Sequence, residues 1–299
     1  MKITITGSLG HISKPLTKKL VQQGHTVTVV SSKPERQKEI EALGAKAAIG
    51  TMEDVQFLTK TFKNEDVVYL MEPPINFFDK SIDMIKFYTG VAENYAQAIQ
   101  QSGVKRIVHL SSIGAHTDKG NGILASHYNV EQILGALPSD IAIVTLRPVG
   151  FYYNTFAFIN AIKSQGAIIS NYGGDDKEPW VSPIDIAEIA AAEIAKPFSG
   201  RTFQYIASDE LSPNEVAKIL GEAIGKPDLK WNIISDEQRL NTLLFIGMSE
   251  QAAKGLTEMD AGRRGSLLYE DYFRYRPELG KVKLNEFAKE FAAVYNSNS

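Results

Sequence analysis

Met1-Lys2-Ile3-Thr4-Ile5-Thr6 runs directly into Gly7-Ser8-Leu9-Gly10-His11-Ile12-Ser13, and the reading of this stretch decides the fold. The first six residues form a short strand of the kind buried on both faces. The glycines let the backbone turn tightly and approach an oxygen closely. The helix opened by this turn offers unpaired N–H groups to an anion, so the turn is where a dinucleotide pyrophosphate would sit. Its spacing, Gly-x-x-Gly-x-x-Ser, is weak alone, and context strengthens it. Ile12, Leu16, Leu20 and Val21 share one helical face, and a second strand, Thr26 to Val30, follows Gly24. Ser13 is small enough to keep the helix close to the strand. Gly7, Leu9, Gly10, His11 and Ile12 are the nucleotide-binding candidates here.

The same alternation continues beyond the turn. Strands are expected at Ile3 to Thr6, Thr26 to Val30, Lys46 to Ile49, Val67 to Leu70, Arg106 to Leu110 and Ala142 to Leu146, separated by stretches of helical period. Such alternation predicts an α/β fold, a Rossmann-type doubly wound parallel sheet. The longest helix, about 81 to 101, places Ile82, Ile85, Tyr88, Tyr95 and Ile99 near one face as core. After Leu146 the rhythm changes. Pro148, Gly150, the aromatic cluster of Phe151, Tyr152, Tyr153, Phe156 and Phe158, then Gly166 and Gly173-Gly174 suggest chain leaving the sheet. Ser182-Pro183 and Ser212-Pro213-Asn214-Glu215 each start a helix, the latter with capping-box spacing. Leu284, Phe287, Phe291 and Tyr295 mark an amphipathic C-terminal helix. The division predicted is residues 1–150 as nucleotide-binding domain and 151–299 as a smaller α+β substrate-binding portion interleaved with it.

The composition is that of a globular chain. Of 299 residues, 43% are hydrophobic, and 32 basic residues face 35 acidic ones, so no strong field argues for nucleic acid or an anionic membrane. A small-molecule partner is expected. An oligomer or a regulatory protein partner stays open. With no cysteine, disulfides and thiolate chemistry are excluded. Five scattered histidines show no metal-ligand spacing, and no metal is expected. No apolar run approaches the roughly 20 residues that span a bilayer, and a cytoplasmic location is expected.

Other site candidates sit at carboxyl ends of strands, where open α/β sheets bind ligands. Met71 directly follows the fourth strand, and Ser111 and Ser112 end the fifth, with Ser112 the catalytic candidate. An acid ending the second strand would select NAD through its ribose hydroxyls; this chain has Ser31-Ser32-Lys33-Pro34-Glu35-Arg36. Ser31, Ser32, Lys33 and Arg36 could hold a 2′-phosphate by charge-assisted hydrogen bonds. NADP(H) is therefore favoured over NAD(H). Glu53-Asp54 and Asp175-Asp176 read as helix-start and loop charges.

Gly7-x-x-Gly10, Gly50-x-x-Glu53-Asp54, Gly103-Val104-Lys105-Arg106-Ile107-Val108-His109-Leu110-Ser111-Ser112, Leu146-Arg147-Pro148 and Val181-x-x-x-Asp185-Ile186-Ala187 together resemble the atypical short-chain dehydrogenase/reductases. Within these the chain looks most like the NmrA-like family, which includes NADPH-dependent quinone reductases, triphenylmethane-dye reductases and non-catalytic NADPH sensors. The resemblance covers about residues 1 to 235. It implies that backbone after Pro148 lies against the nicotinamide, with Val149, Gly150 and Phe151 nearby and Tyr152, Tyr153 and Asn154 on the substrate side. The NmrA-like pattern often carries Arg at the position of Ser32, so the preference expected for NADP(H) is modest.

The superfamily's Tyr-x-x-x-Lys pair is absent. Anchoring on Glu131 puts Ile123 at the tyrosine position and His127 at the lysine position, while starting from Tyr128 puts Gln132 where lysine belongs. His127 is either a capping or solvated histidine, or its ring hydrogen-bonds the ribose or donates a proton to a reduced carbonyl. The function expected is an NAD(P)H-dependent oxidoreductase that transfers a hydride to a small electrophile such as a quinone. The rival is a non-catalytic NADP(H) sensor. A sugar-nucleotide epimerase ranks third, because it needs the proton shuttle of the missing pair.

Overall fold

A computed structural model describes residues 1–297, apart from the side chains of 266 and 267. Its first half alternates β1 (Lys2–Ile5), α1 (Ser13–Gln22), β2 (Thr26–Ser31), α2 (Gln37–Ala42), β3 (Lys46–Ile49), α3 (Val55–Phe62), β4 (Val67–Leu70), α4 (Met84–Ser102), β5 (Arg106–Leu110), α5 (Ala125–Gly135) and β6 (Ala142–Pro148). The second half holds β7 (Gly150–Phe151), α6 (Ile159–Gln165), β8 (Ala167–Ser170), β9 (Glu178–Val181), α7 (Pro183–Ala195), β10 (Arg201–Ile206) and β11 (Asp209–Leu211). It continues with α8 (Pro213–Ala223), β12 (Lys230–Ile233), α9 (Asp236–Phe245), α10 (Glu250–Gly262), α11 (Glu270–Arg274) and α12 (Leu284–Ser297).

The main sheet has seven strands in the order β10-β6-β5-β4-β1-β2-β3, and every pairing in it is parallel. From β1 the chain winds outward to β3, then returns to β4 on the other side of β1. That reversal opens a crevice at the carboxyl ends of β1 and β4, the ligand-binding position of doubly wound sheets. Both faces of the sheet are covered, so β1 shows no exposed side: Ile3 and Ile5 are buried in one direction, Thr4 and Thr6 in the other. Leu16 and Leu20 of α1 share a core with Ile186, Ala187, Ala190 and Ile194 of α7. On the opposite face Leu58 and Phe62 of α3, Val91, Tyr95 and Ile99 of α4, and Val130 and Leu134 of α5 form the second layer.

The sequence reading needs three amendments. The longest helix starts at Met84, because Asp83 accepts the Lys86 N–H at 3.1 Å and fixes the N-terminus there. That phase buries Met84 and leaves Ile85 46% exposed, so Ile85 is not core. β6 runs on to Pro148, since β10 pairs with it in register Arg147↔Tyr205 and Pro148↔Ile206. β10 itself was not anticipated; like α7, it lies beyond residue 150 yet completes the layers of the first sheet.

The remaining chain builds a three-stranded sheet, β11-β9-β7, and a β12–β8 pair. A separate core joins Tyr152, Trp180 and Trp231 to Val216 and Leu220 of α8 and to Leu284, Phe287 and Phe291 of α12. The helix starts at Ser182 and Ser212 cap as the sequence implies, Ser212 with a reciprocal capping box through Glu215.

Candidate active site

The glycine turn closes on itself through backbone. Gly7 has φ +89° and Ser8 φ +56°; Ser8 N–H donates to Val30 O at 3.0 Å and its hydroxyl to Ser31 Oγ at 2.9 Å, which ties the turn to the end of β2. Any Cβ on Gly7 would overlap Met71 Sδ, so Met71 packs beneath the turn while Ser13 Oγ meets the same sulfur at 3.3 Å. The Thr6 hydroxyl accepts Met71 N–H at 2.8 Å and holds β1 and β4 together at the crevice. Gly10 is different: a Cβ there would meet nothing nearer than Gly7 O at 3.8 Å. Open space over a helix N-terminus, bounded by backbone, fits a pyrophosphate. Leu9 and Ile12 are buried and belong to the core beneath α1.

The end of β2 supplies hydroxyls and, among the described residues, a cation without an ion pair. Ser31 Oγ accepts Lys33 N–H at 3.2 Å. Arg36 is paired with Glu39 at 2.5 Å, and Lys14 reaches the same carboxylate at 2.8 Å. Lys33 is exposed, as is Ser32, and Lys33 forms no ion pair with a described residue.

At the other end of the crevice three segments converge. Glu72, two residues past β4, has a side chain 2% exposed; its Oε1 lies 3.2 Å from His109 Nε2 in β5 and its Oε2 3.8 Å from His127 Nδ1 in the first turn of α5. His109 is fully buried and the His127 ring remains 23% exposed, tilted against Tyr88 at 5.9 Å. Burial pulls the His127 imidazole below its ordinary range, and the Glu72 charge opposes that pull. Burial pushes Glu72 up, but the neighbouring His109 and His127 outweigh it and hold the carboxyl below the usual range. Ile123, at the tyrosine position, is pressed against Gly255 of α10 and offers no proton.

Next to this cluster Ser111 Oγ donates to Glu131 Oε1 at 2.5 Å, and Arg147 grips the same carboxylate with contacts of 3.0 and 2.6 Å. Arg147 also reaches Asp271 at 3.2 Å and lies over Phe203 at 4.4 Å. Burial works against its charge, but Glu131 outweighs it and raises the guanidinium pKa. Ser111 and Arg147 are thus engaged in holding β5, β6, α5 and α11 together. Ser112 is half-buried at the strand end.

On the substrate side Tyr153 stacks on His11, ring centroids 4.9 Å apart, and tilts against Phe151 at 5.1 Å, so the glycine turn touches the aromatic segment directly. Asn154 is exposed and Gly150 half-buried, while Pro148 and Val149 are buried in the sheet edge. Tyr152 corrects the sequence reading. Its side chain is fully buried, donating to Asp209 Oδ2 at 2.6 Å, so it belongs to the second core and not to a ligand surface. Glu72 and His109 escaped notice, although His109 interrupts an apolar strand and Glu72 closely follows one at the carboxyl edge, where a buried charge or imidazole is the informative residue.

The parallel sheet, its switch point and the open glycine turn define a dinucleotide-binding protein. The chain belongs to the NAD(P)H-binding family, whose profile matches residues 7–197. Its fold is similar to that of an NADPH-dependent quinone oxidoreductase of Escherichia coli solved with NADPH, at 20% identity and TM-score 0.79, covering 96% of this chain and 99% of that one. It is similar also to a Citrobacter triphenylmethane reductase solved with NADP(H), at 18% identity and TM-score 0.74, covering 97% and 99%. A nucleoside-diphosphate-sugar epimerase of Staphylococcus aureus matches at 18% identity and TM-score 0.78, covering 97% and 100%. These neighbours share the NAD(P)-binding fold of this chain. No helix among the described residues is long and apolar enough to cross a membrane.

Proposed function

We propose that the protein is an NAD(P)H-dependent reductase of a small electrophile such as a quinone, with a modest preference for NADP(H). The observation that carries this reading is the pair of residues where a tyrosine and a lysine would stand: an apolar, half-buried Ile123 packed against Gly255 of α10, and an imidazole, His127, still partly open. A secondary alcohol or sugar carbinol needs a strong, positioned acid–base group, and Ile123 cannot be one. A quinone needs less, because its aromatic ring stabilises the reduced oxygen.

Bound along the glycine turn, a reduced nicotinamide supplies the hydride. The residues do the rest. Backbone N–H groups at the start of α1 hold the pyrophosphate, Lys33 the 2′-phosphate, and the backbone of Pro148 to Phe151 flanks the ring. Tyr153 and Asn154 line the substrate side. The quinone gains an electron pair with the hydride, and the oxygen that becomes negative takes its proton from His127 or from solvent.

Steady-state NADPH oxidation across a panel of quinones tests this. Turnover of quinones, with simple alcohols and sugar nucleotides untouched, is expected. His127→Ala should lower turnover by roughly 10²-fold while nucleotide binding persists. Saturable nucleotide binding without oxidation of any acceptor would replace the reductase with a cofactor sensor. Turnover indifferent to His127→Ala would keep the reaction and assign the proton to solvent.

A further inference from the structure

Buried polar atoms in folded proteins are almost always hydrogen-bonded, so clusters of orphans are informative. Three of them belong to one row: Glu72 Oε2, His109 Nδ1 and His127 Nδ1. His109 Nε2 already meets Glu72 Oε1 at 3.2 Å. Facing a carboxylate oxygen, that nitrogen is the one that carries a proton and donates. Glu72 then keeps a second oxygen that lacks a donor, and the nearest one is His127 Nδ1 at 3.8 Å. Closing that gap by under an ångström completes a hydrogen bond. It also leaves Nε2 as the His127 nitrogen free to face a ligand.

We propose that Glu72 is a positioning residue that holds His127 with Nδ1 turned inward and protonated, so that Nε2 is the ring nitrogen presented outward to a ligand. The assignment rests on the reading of His127 as proton donor and extends it: the donor is a His109–Glu72–His127 row, not one imidazole. His109 anchors the carboxylate from β5, where it has no exposure of its own. The groups facing His127 are Glu72 from the end of β4, His109 from β5, Tyr88 from α4 and Glu131 one turn along α5. Of the two acids, Glu72 is the one in reach of the ring. Burial holds the His127 imidazole below its ordinary range, and the adjacent Glu72 anion opposes that pull in part, so removing the anion should lower it further.

The test is an NMR pH titration of the histidine ring signals in the whole protein, with His127→Ala used to assign the His127 resonance. Glu72→Gln keeps shape and removes charge, and should move the His127 midpoint down by about one pH unit or more. In turnover, a general acid must be protonated, so the fall of kcat at high pH should move down by the same amount, with KM for the nucleotide little changed. Glu72→Asp keeps the charge at greater distance and should give an intermediate midpoint. A merely structural Glu72 would change the melting temperature without moving either midpoint, and unchanged midpoints in Glu72→Gln overturn the proposal. Should Glu72→Gln fail to fold, an unchanged midpoint in Glu72→Asp does so equally. The NMR result does not depend on turnover, so a protein that proves inactive loses the reductase reading while the Glu72–His127 pairing is still decided.

Discussion

Along one edge of the sheet, the ligand-facing ends of β1 and of β4 to β6 are built by different means. At β1 the backbone makes the site: positive φ at Gly7 and Ser8, and empty space over Gly10. At β4, β5 and β6 side chains make it, through Glu72, His109, His127, Glu131 and Arg147, all wholly or largely withdrawn from water. A backbone site can be open without cost, because its donors are satisfied by water until a ligand arrives. Charges withdrawn from water must be paired within the protein, so the second region couples chemistry to stability.

The comparison can be broken most severely at Glu131. Glu131→Ala leaves Arg147 with Asp271 alone and Ser111 without its acceptor, and should destabilise the protein by about 3 kcal/mol, near the low end for a broken buried pair because Asp271 remains. Urea unfolding with an unchanged m-value checks it, and a loss below about 1 kcal/mol would mean that this network is no more than a surface pair.

Gly10→Val should do the converse. The φ of Gly10 is not positive and its Cβ position is vacant, so the fold should keep its melting temperature. Protection by NADPH should vanish; for the wild type it is worth roughly 2.7 kcal/mol at about 100 times the dissociation constant. Retained protection would place the pyrophosphate elsewhere.

Lys33→Ala is the mildest. Exposed and unpaired among the described residues, Lys33 should contribute about tenfold to NADPH affinity, about 1.4 kcal/mol, and nothing to NADH. Isothermal titration with both nucleotides decides this, and equal losses would remove Lys33 from the 2′-phosphate.

The difference between the two regions also explains what was legible in the sequence. The glycine turn is contiguous, and six strands of the main sheet announce themselves as apolar runs between helical periods. β10 did not, because Arg201, Thr202 and Phe203 at its start are exposed on the sheet's edge and break the pattern of a buried parallel strand. Ile85 and Tyr152 failed for related reasons: a cap at Asp83 set the helix phase, and a tertiary hydrogen bond to Asp209 drew a tyrosine inward. The row of Glu72, His109 and His127 joins residues up to 55 positions apart, so no local spacing marks it. Single acids and imidazoles in or next to apolar segments were the signal available.

At Gly122 and Gly255 there is no room for a side chain: a Cβ on Gly122 would overlap the Gly255 carbonyl oxygen, and one on Gly262 would crowd Gly120 O at 2.5 Å. Helix α10 therefore rests main chain on main chain against the segment that leads into α5, as a masonry joint without mortar. Laboratory evolution toward a bulkier acceptor should leave Gly122 and Gly255 untouched and collect its changes elsewhere. Widening the joint by even one methyl group would tilt the helix that carries His127, so the wall and the acid would have to be re-aimed together.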